Sequence, residues 1–221
     1  MEINDIKIDW LGHSGILIRN SKNIYIDPFQ ISERLPKADY IFLTHSHYDH
    51  CSFEDINKIL KEDTTIVAPA DCQSKIFRSQ LKIHFEVVEE NQEIEFGEIK
   101  VSTIPAYNID KPFHFFGSGG LGYLIKLEDA IIYHAGDTDL ISEMQKLTGY
   151  KQQGKSFIAF LPISGKFTMS VEEAVNAVKL IKPTISIPIH YGSVIGTVED
   201  AKEFVRLCQE EGFKSQILEK I

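Results

Sequence analysis

Thr44-His45-Ser46-His47-Tyr48-Asp49-His50 gathers three imidazoles and a carboxylate into one short stretch. It follows the apolar run Tyr40-Ile41-Phe42-Leu43, which has the length and composition of a buried strand, so the cluster falls where a strand gives way to a loop. Side chains two apart in extended chain point the same way, which lets His45 and His47 grip one ion while Asp49 and His50 turn toward a second. Neutral imidazole nitrogens and carboxylate oxygens are the ligand set of zinc, and of manganese, iron or nickel at related sites. The plainer alternative is a solvated, histidine-rich surface turn. Delivery by an apolar strand, with matching side chains downstream, argues against it.

Composition narrows the class. A chain of 221 residues is long enough for one sizeable core and short for two, so one domain over residues 1–221 is expected. A hydrophobic fraction of 43% with 25% charged residues is ordinary for a soluble globular protein. No segment approaches the ~20 apolar residues of a membrane span. Met1-Glu2-Ile3-Asn4-Asp5-Ile6 lacks the basic and apolar regions of a secretory signal, and a cytoplasmic location is the expectation. Cys51, Cys72 and Cys208 make an odd count at no metal-finger spacing, which fits reduced thiols. A net charge of −9 without a basic run argues against broad nucleic-acid binding. It leaves room for a small anionic substrate, because bound divalent ions dominate the local field while distant charge is screened.

Further stretches accompany the histidine cluster. They are Trp10-Leu11-Gly12-His13-Ser14, Ile26-Asp27-Pro28, Tyr133-His134-Ala135-Gly136-Asp137-Thr138 and Pro188-Ile189-His190-Tyr191-Gly192. Together with the H-x-H-x-D-H pattern they resemble the metallo-beta-lactamase fold superfamily of metallohydrolases along nearly the whole chain. The first and last are most similar to the subgroup containing L-ascorbate-6-phosphate lactonase and N-acylphosphatidylethanolamine-hydrolysing phospholipase D. The resemblance implies an α/β fold (α+β in some schemes) built as a four-layer αββα sandwich. It implies two divalent metal ions, zinc first, with manganese, nickel or iron as alternatives. His45, His47 and a loop histidine would hold one ion, Asp49, His50 and His190 the other, with Asp137 between them. Where the family carries the loop histidine, this chain has Asn108. Either His114 reaches back to replace it or the first ion is held by fewer protein ligands and more water; His114 is the expectation, because a catalytic zinc usually takes three protein ligands.

Periodicity and turn residues place strands at 6–10, 15–19, 23–27, 65–68, 82–88, 93–96, 98–104, 121–127, 130–134, 157–161, 184–189 and 215–218. Helices are expected after Ser52, over 69–80, around 140–147, and after the capping residues Ser170 and Thr197. His13 lies in the first turn, either as a surface residue or in contact with ligands or substrate. Asp27 either closes a turn or orients a metal-binding histidine through a hydrogen bond. Gly136 permits a tight turn, and the two oxygens of Asp137 can reach two ions. His134 either supports the site or touches substrate, and Lys166 is a candidate contact for an anionic group. Gly117-Ser118-Gly119-Gly120 precedes a strand rather than a helix, so a phosphate cradle is rejected in favour of a lip beside the site.

These readings converge on a metal-dependent hydrolase acting on an ester, lactone or phosphodiester bond of a small, anionic substrate. Paired ions of this kind sit about 3.5–4 Å apart and lower the pKa of a shared water to about 7. Asp49 is the expected group to orient the nucleophile and relay its proton, with His13 as the weaker candidate. Two other classes stand as alternatives. An iron-dependent oxidoreductase on the same fold is opposed by His47, where flavodiiron relatives carry Glu; a non-catalytic metal-binding protein would follow if Asn108 marks a degraded site. A homo-oligomer is a general expectation for a small enzyme.

Overall fold

The computed structural model describes residues 1–77 and 82–221. The first sheet is formed by β1 (Glu2–Ile3), β2 (Ile6–Gly12), β3 (Gly15–Arg19), β4 (Asn23–Ile26), β5 (Tyr40–Phe42), β6 (Thr65–Ala68) and β7 (His84–Val87), in that spatial order. Its first half is antiparallel, and from β4 onward the strands run parallel. The second sheet holds β8 (Glu93–Phe96), β9 (Ile99–Pro105), β10 (Leu121–Lys126), β11 (Ala130–His134), β12 (Ser156–Pro162) and β13 (Ile185–Ile189). It repeats the scheme, antiparallel up to β11 and then parallel.

Central strands are buried on both faces, which is why Ile16-Leu17-Ile18 and Ile24-Tyr25-Ile26 read as continuous apolar runs rather than alternations. Leu17, Tyr25, Ile41 and Ile66 face outward onto Ile56 and Ile59 of α1 (Phe53–Ile59) and Ile76 of the short α2 (Gln73–Ile76). Ile16, Ile18, Ile26 and Phe42 belong to the larger core shared with the second sheet. There the Phe42 and Tyr123 rings meet at 5.2 Å, and the Tyr123 hydroxyl donates to the Leu43 carbonyl at 2.7 Å. α3 (Val171–Ile181) and α4 (Val198–Glu210), each opened by a reciprocal capping box, carry that core outward through Ala174, Val178 and Phe204. The order is helix, sheet, sheet, helix, an αββα sandwich. Among the described residues no helix is long and apolar enough to cross a membrane.

Three expectations change. The helix over 69–80 reduces to a 3-10 turn at Ala70–Cys72 and α2, which bury Cys72 and Ile76; positions 78–80 lie outside the described residues. The segment Leu140–Leu147 forms a 3-10 helix at Ser142–Leu147. The strand at 215–218 is absent. Instead Ser215 bridges to Ser186 and Lys220 to Trp10, so the tail touches one strand of each sheet without forming a ladder.

Parallel pairing through β12 sends β11 and β13 the same way, and the segments that follow β5, β11 and β13 meet at one edge of the sandwich, where His50, Asp137 and His190 come together. The β2–β3 turn and the β9–β10 loop reach that edge as well, bringing His13 and His114 to it.

Candidate metal centre

Asp27 anchors the site. Fully buried just past β4, it accepts hydrogen bonds from the Thr44 backbone N–H at 2.8 Å and the Thr44 hydroxyl at 2.6 Å. Its Oδ2 also lies 2.7 Å from His50 Nδ1. Because the Thr44 hydroxyl hydrogen is committed to Asp27, its oxygen can only accept from His45 Nδ1, 3.0 Å away. His114 Nδ1 faces the Phe167 carbonyl at 3.2 Å, and His190 Nδ1 the Ser164 hydroxyl at 3.2 Å. The hydrogen-bond network therefore assigns the Nδ1 proton to His45, His50 and His114, and leaves their Nε2 lone pairs turned inward.

Four of the inward-facing ligand atoms meet no partner among the described residues. His45 Nε2, His50 Nε2, His190 Nε2 and Asp137 Oδ1 are all buried without a hydrogen-bond partner. Buried polar atoms are costly when unpaired, and several lone pairs aimed at one small volume also repel. A cation between them removes both costs, so the donor set fits a metal. Asp137 lies centrally, with Oδ1 3.4 Å from His50 Nε2 and Oδ2 3.1 Å from His190 Nε2 and 3.5 Å from His114 Nε2. Three overlapping groups have ligand atoms within 4.8 Å of one another: His45, His47 and His114; His45, His50 and Asp137; and His13, Asp49, His50 and His190.

The electrostatics follow from burial and neighbours. Burial favours the neutral Asp137 carboxyl, but His190 and His50 outweigh it and hold the group well below the usual carboxylate range. Burial also opposes charge on Asp49, yet its contact with His13 Nε2 at 3.0 Å takes it down to about 2. His13, taken down to about 4 by burial, stays neutral at pH 7 and donates to that carboxylate. Burial pushes His45 well below the ordinary imidazole value, whereas at His50 the same effect is overcome by Asp137 and Asp27, which raise it well above. Four non-glycine residues here hold left-handed backbone, His13 at φ 50°, Asp27 at 45°, His114 at 56° and His190 at 61°. Such conformations persist where surrounding structure fixes them, and they cluster at functional sites.

All the expected site residues, His13, His45, His47, Asp49, His50, His114, Asp137 and His190, lie together. His47 and His114 bring ring nitrogens to 2.9 Å of each other. His13, read from sequence as a turn residue or ligand contact, groups with Asp49, His50 and His190. The Asn108 amide nitrogen is taken up by the loop, donating to the Phe113 carbonyl at 2.8 Å and the Phe167 carbonyl at 2.6 Å. It braces the loop that carries His114. His134 supports the Gly136 turn, bonding Ser14 O at 2.8 Å and the Gly136 N–H at 3.2 Å. Thr44 and Ser164, which orient His45 and His190, were not anticipated. Thr44 directly precedes the histidine cluster and was open to that reading, while nothing around Ser164 marks it.

Residues 7–190 match the family model described as a beta-lactamase superfamily domain. The chain is 34% identical over 220 residues to the UPF0173 metal-dependent hydrolase of Nanoarchaeum equitans, covering 97% of each. It is 35% identical over 217 residues to the UPF0173 metal-dependent hydrolase of Lysinibacillus sphaericus, covering 92% of this chain and 93% of that one. A solved structure from Parabacteroides distasonis superposes with a TM-score of 0.81 at 27% identity, over 98% of this chain and 94% of the other.

Proposed function

This chain belongs to the metallo-beta-lactamase superfamily and is a metal-dependent hydrolase, and from that premise we propose that it uses two divalent ions, zinc first, to hydrolyse an ester or lactone. His45, His47 and His114 hold one ion and Asp49, His50 and His190 the other, with Asp137 shared. The observation that carries this reading is the convergence of four buried, unpartnered ligand atoms on His45, His50, His190 and Asp137. Ions held there would supply a water of pKa about 7 and stabilise charge developing on the attacked carbonyl oxygen.

The remaining work falls to side chains. Asp49 borders the cleft in its ionised form and orients the attacking water, takes its proton and passes it to the leaving oxygen. His13 Nε2–H holds the other side of that exchange by fixing Asp49 Oδ2. Lactone opening is favoured by the likeness of the Trp10–Ser14 and Pro188–Gly192 stretches to the ascorbate-phosphate lactonase subgroup. Phosphodiester cleavage is the second chemistry the same groups permit.

Elemental analysis of the purified protein, followed by a panel of esters, lactones and phosphodiesters, tests the proposal. Two zinc or manganese ions per chain are expected, with turnover that falls about 10²–10⁴-fold in Asp49→Ala while the far-ultraviolet dichroism is kept. Iron with oxygen uptake would replace it by a redox role, and one ion without turnover by a structural one. Undiminished turnover in Asp49→Ala would remove the proton relay.

A further inference from the structure

The cleft above the metal centre has a volume of 360 Å³ and is lined by His47, Asp49, His114, Asp137 and His190 together with Tyr48, Phe113, Phe167 and Val194. The first five belong to the candidate metal centre. The other four decide what sits beside it, and they are apolar or aromatic. Three are conspicuously open to solvent, Tyr48 at 63%, Phe113 at 47% and Val194 at 40% exposure. Single exposed apolar residues need no explanation, but several converging on one cavity beside reactive groups mark a ligand surface. Phe113 and Phe167 meet edge to face at 5.2 Å, and Phe113 stands 6.3 Å from the His47 ring, so this wall begins at the metal ligands.

Charge points the same way. Apart from the two carboxylates already given to the metal centre, the lining holds no charged side chain: neither lysine nor arginine joins Tyr48, Phe113, Phe167 and Val194. Of the nearby cations, Lys111 pairs with Asp139 and Glu173, Lys75 donates to the Ser46 carbonyl, and Lys166 lies 5.0 Å over the Phe167 ring. A substrate whose anionic group lay among these four side chains would lose hydration with no charged partner within the wall itself, Lys166 standing outside the lining.

We propose that the cleft selects esters or lactones whose acyl part is an uncharged apolar chain or ring, seated among Tyr48, Phe113, Phe167 and Val194. This rests on the hydrolase reading above and replaces the anionic substrate expected from sequence. In the reaction the water oxygen bonds to the acyl carbon and the acyl C–O bond breaks. The alkoxide oxygen takes one of the water's protons and the other leaves to solvent as the acid ionises, giving an alcohol and a carboxylate with an apolar tail, or from a lactone a single hydroxycarboxylate.

The test compares p-nitrophenyl acetate, butyrate, hexanoate and hemisuccinate on the zinc-supplied protein, and measures acetate, butyrate and hexanoate binding by calorimetry. With each methylene about half buried, kcat/KM rises about fourfold per two methylenes, or about sixteenfold from acetyl to hexanoyl. The hemisuccinate falls below the butyrate by about tenfold. Phe113→Ala and Phe167→Ala, each checked for native dichroism, cut the hexanoyl-to-acetyl ratio to about fourfold, and Lys166→Ala leaves it unchanged. A flat chain-length profile, or a hemisuccinate preference that disappears in Lys166→Ala, overturns the proposal. If no ester turns over, the hydrolase reading fails separately, and the carboxylates decide: hexanoate bound more tightly than acetate by a similar ratio sustains the apolar seat, and equal binding overturns it.

Discussion

Asp27 Oδ2 stands 2.7 Å from His50 Nδ1, with both side chains closed to solvent, and the same carboxylate holds Thr44 through its N–H and hydroxyl. One group at the end of β4 thus fixes the orientation of His50 directly and of His45 through Thr44. Asp27→Asn keeps the volume but sets an amide where three donors converge. We expect metal affinity to fall about 10–100-fold, as partners of metal-binding histidines generally show. Chelator competition reads this, and unchanged affinity would mean the histidines are oriented without Asp27.

His114 and Asn108 separate by the same measurement. His114→Ala removes a nitrogen 2.9 Å from His47 Nδ1, and the metal-to-protein ratio or the affinity of one ion should fall at least tenfold. Asn108→Ala keeps that nitrogen but strips donors from two carbonyls, Phe113 and Phe167, so its main effect should be a stability loss of about 1–3 kcal/mol. Equal metal loss in both variants would make Asn108 more than a brace.

Much of this was legible in the chain because it is local. The histidine cluster, the Gly136-Asp137 turn and the strands that deliver them are short patterns whose chemistry can be read without a fold. Asp27 was open to reading as a partner for a metal-binding histidine, although its choice of His50 depends on the parallel pairing of β4 with β5. Asn108 is long-range in kind: its amide meets Phe167, far along the chain, and no local pattern encodes that contact. The tail fails as a strand for a related reason, since it adds one bridge to each sheet instead of a ladder. Phe113, Phe167 and Val194 carry no motif and Tyr48 fills a variable position of the histidine cluster, so only the fold makes the four neighbours.

Gly136→Ala should be among the most damaging single methyl additions. The residue sits at φ 68°, and a Cβ there would stand 2.6 Å from the Leu121 carbonyl oxygen and 3.3 Å from the Thr44 side chain. Strain from the left-handed backbone adds about 1 kcal/mol, and relieving the clash must shift β10, Thr44 or Asp137 itself. A loss of about 2–4 kcal/mol in urea unfolding is expected, with a lower metal content. A variant as stable as the parent would show that the turn has slack.

Acid should destabilise the metal-free protein before its carboxylates titrate. His13 has a folded value of about 4 against an ordinary 6.5, and burial holds His45 well below that value too. A group depressed in the fold contributes stability above its unfolded value and loses it as pH falls toward the folded one, because the unfolded chain then takes up the proton first. His50 runs oppositely. Raised well above 6.5, its contribution is complete below that pH, is lost as pH rises through the folded value, and stays constant on the acid side. Asp49, at about 2, and Asp137 matter only below about pH 4. Between pH 6.5 and 4, His13 alone should therefore remove on the order of 3 kcal/mol. Urea midpoints at pH 6.5, 5.5 and 4.5 on chelator-treated protein check the sign. Added zinc should raise the midpoint at pH 6.5, with a benefit that fades toward pH 4.5 as the ligands protonate. A metal-free midpoint that holds or rises on acidification would mean that His13 is charged in the fold, and its donor role toward Asp49 would need to be redrawn as an ion pair.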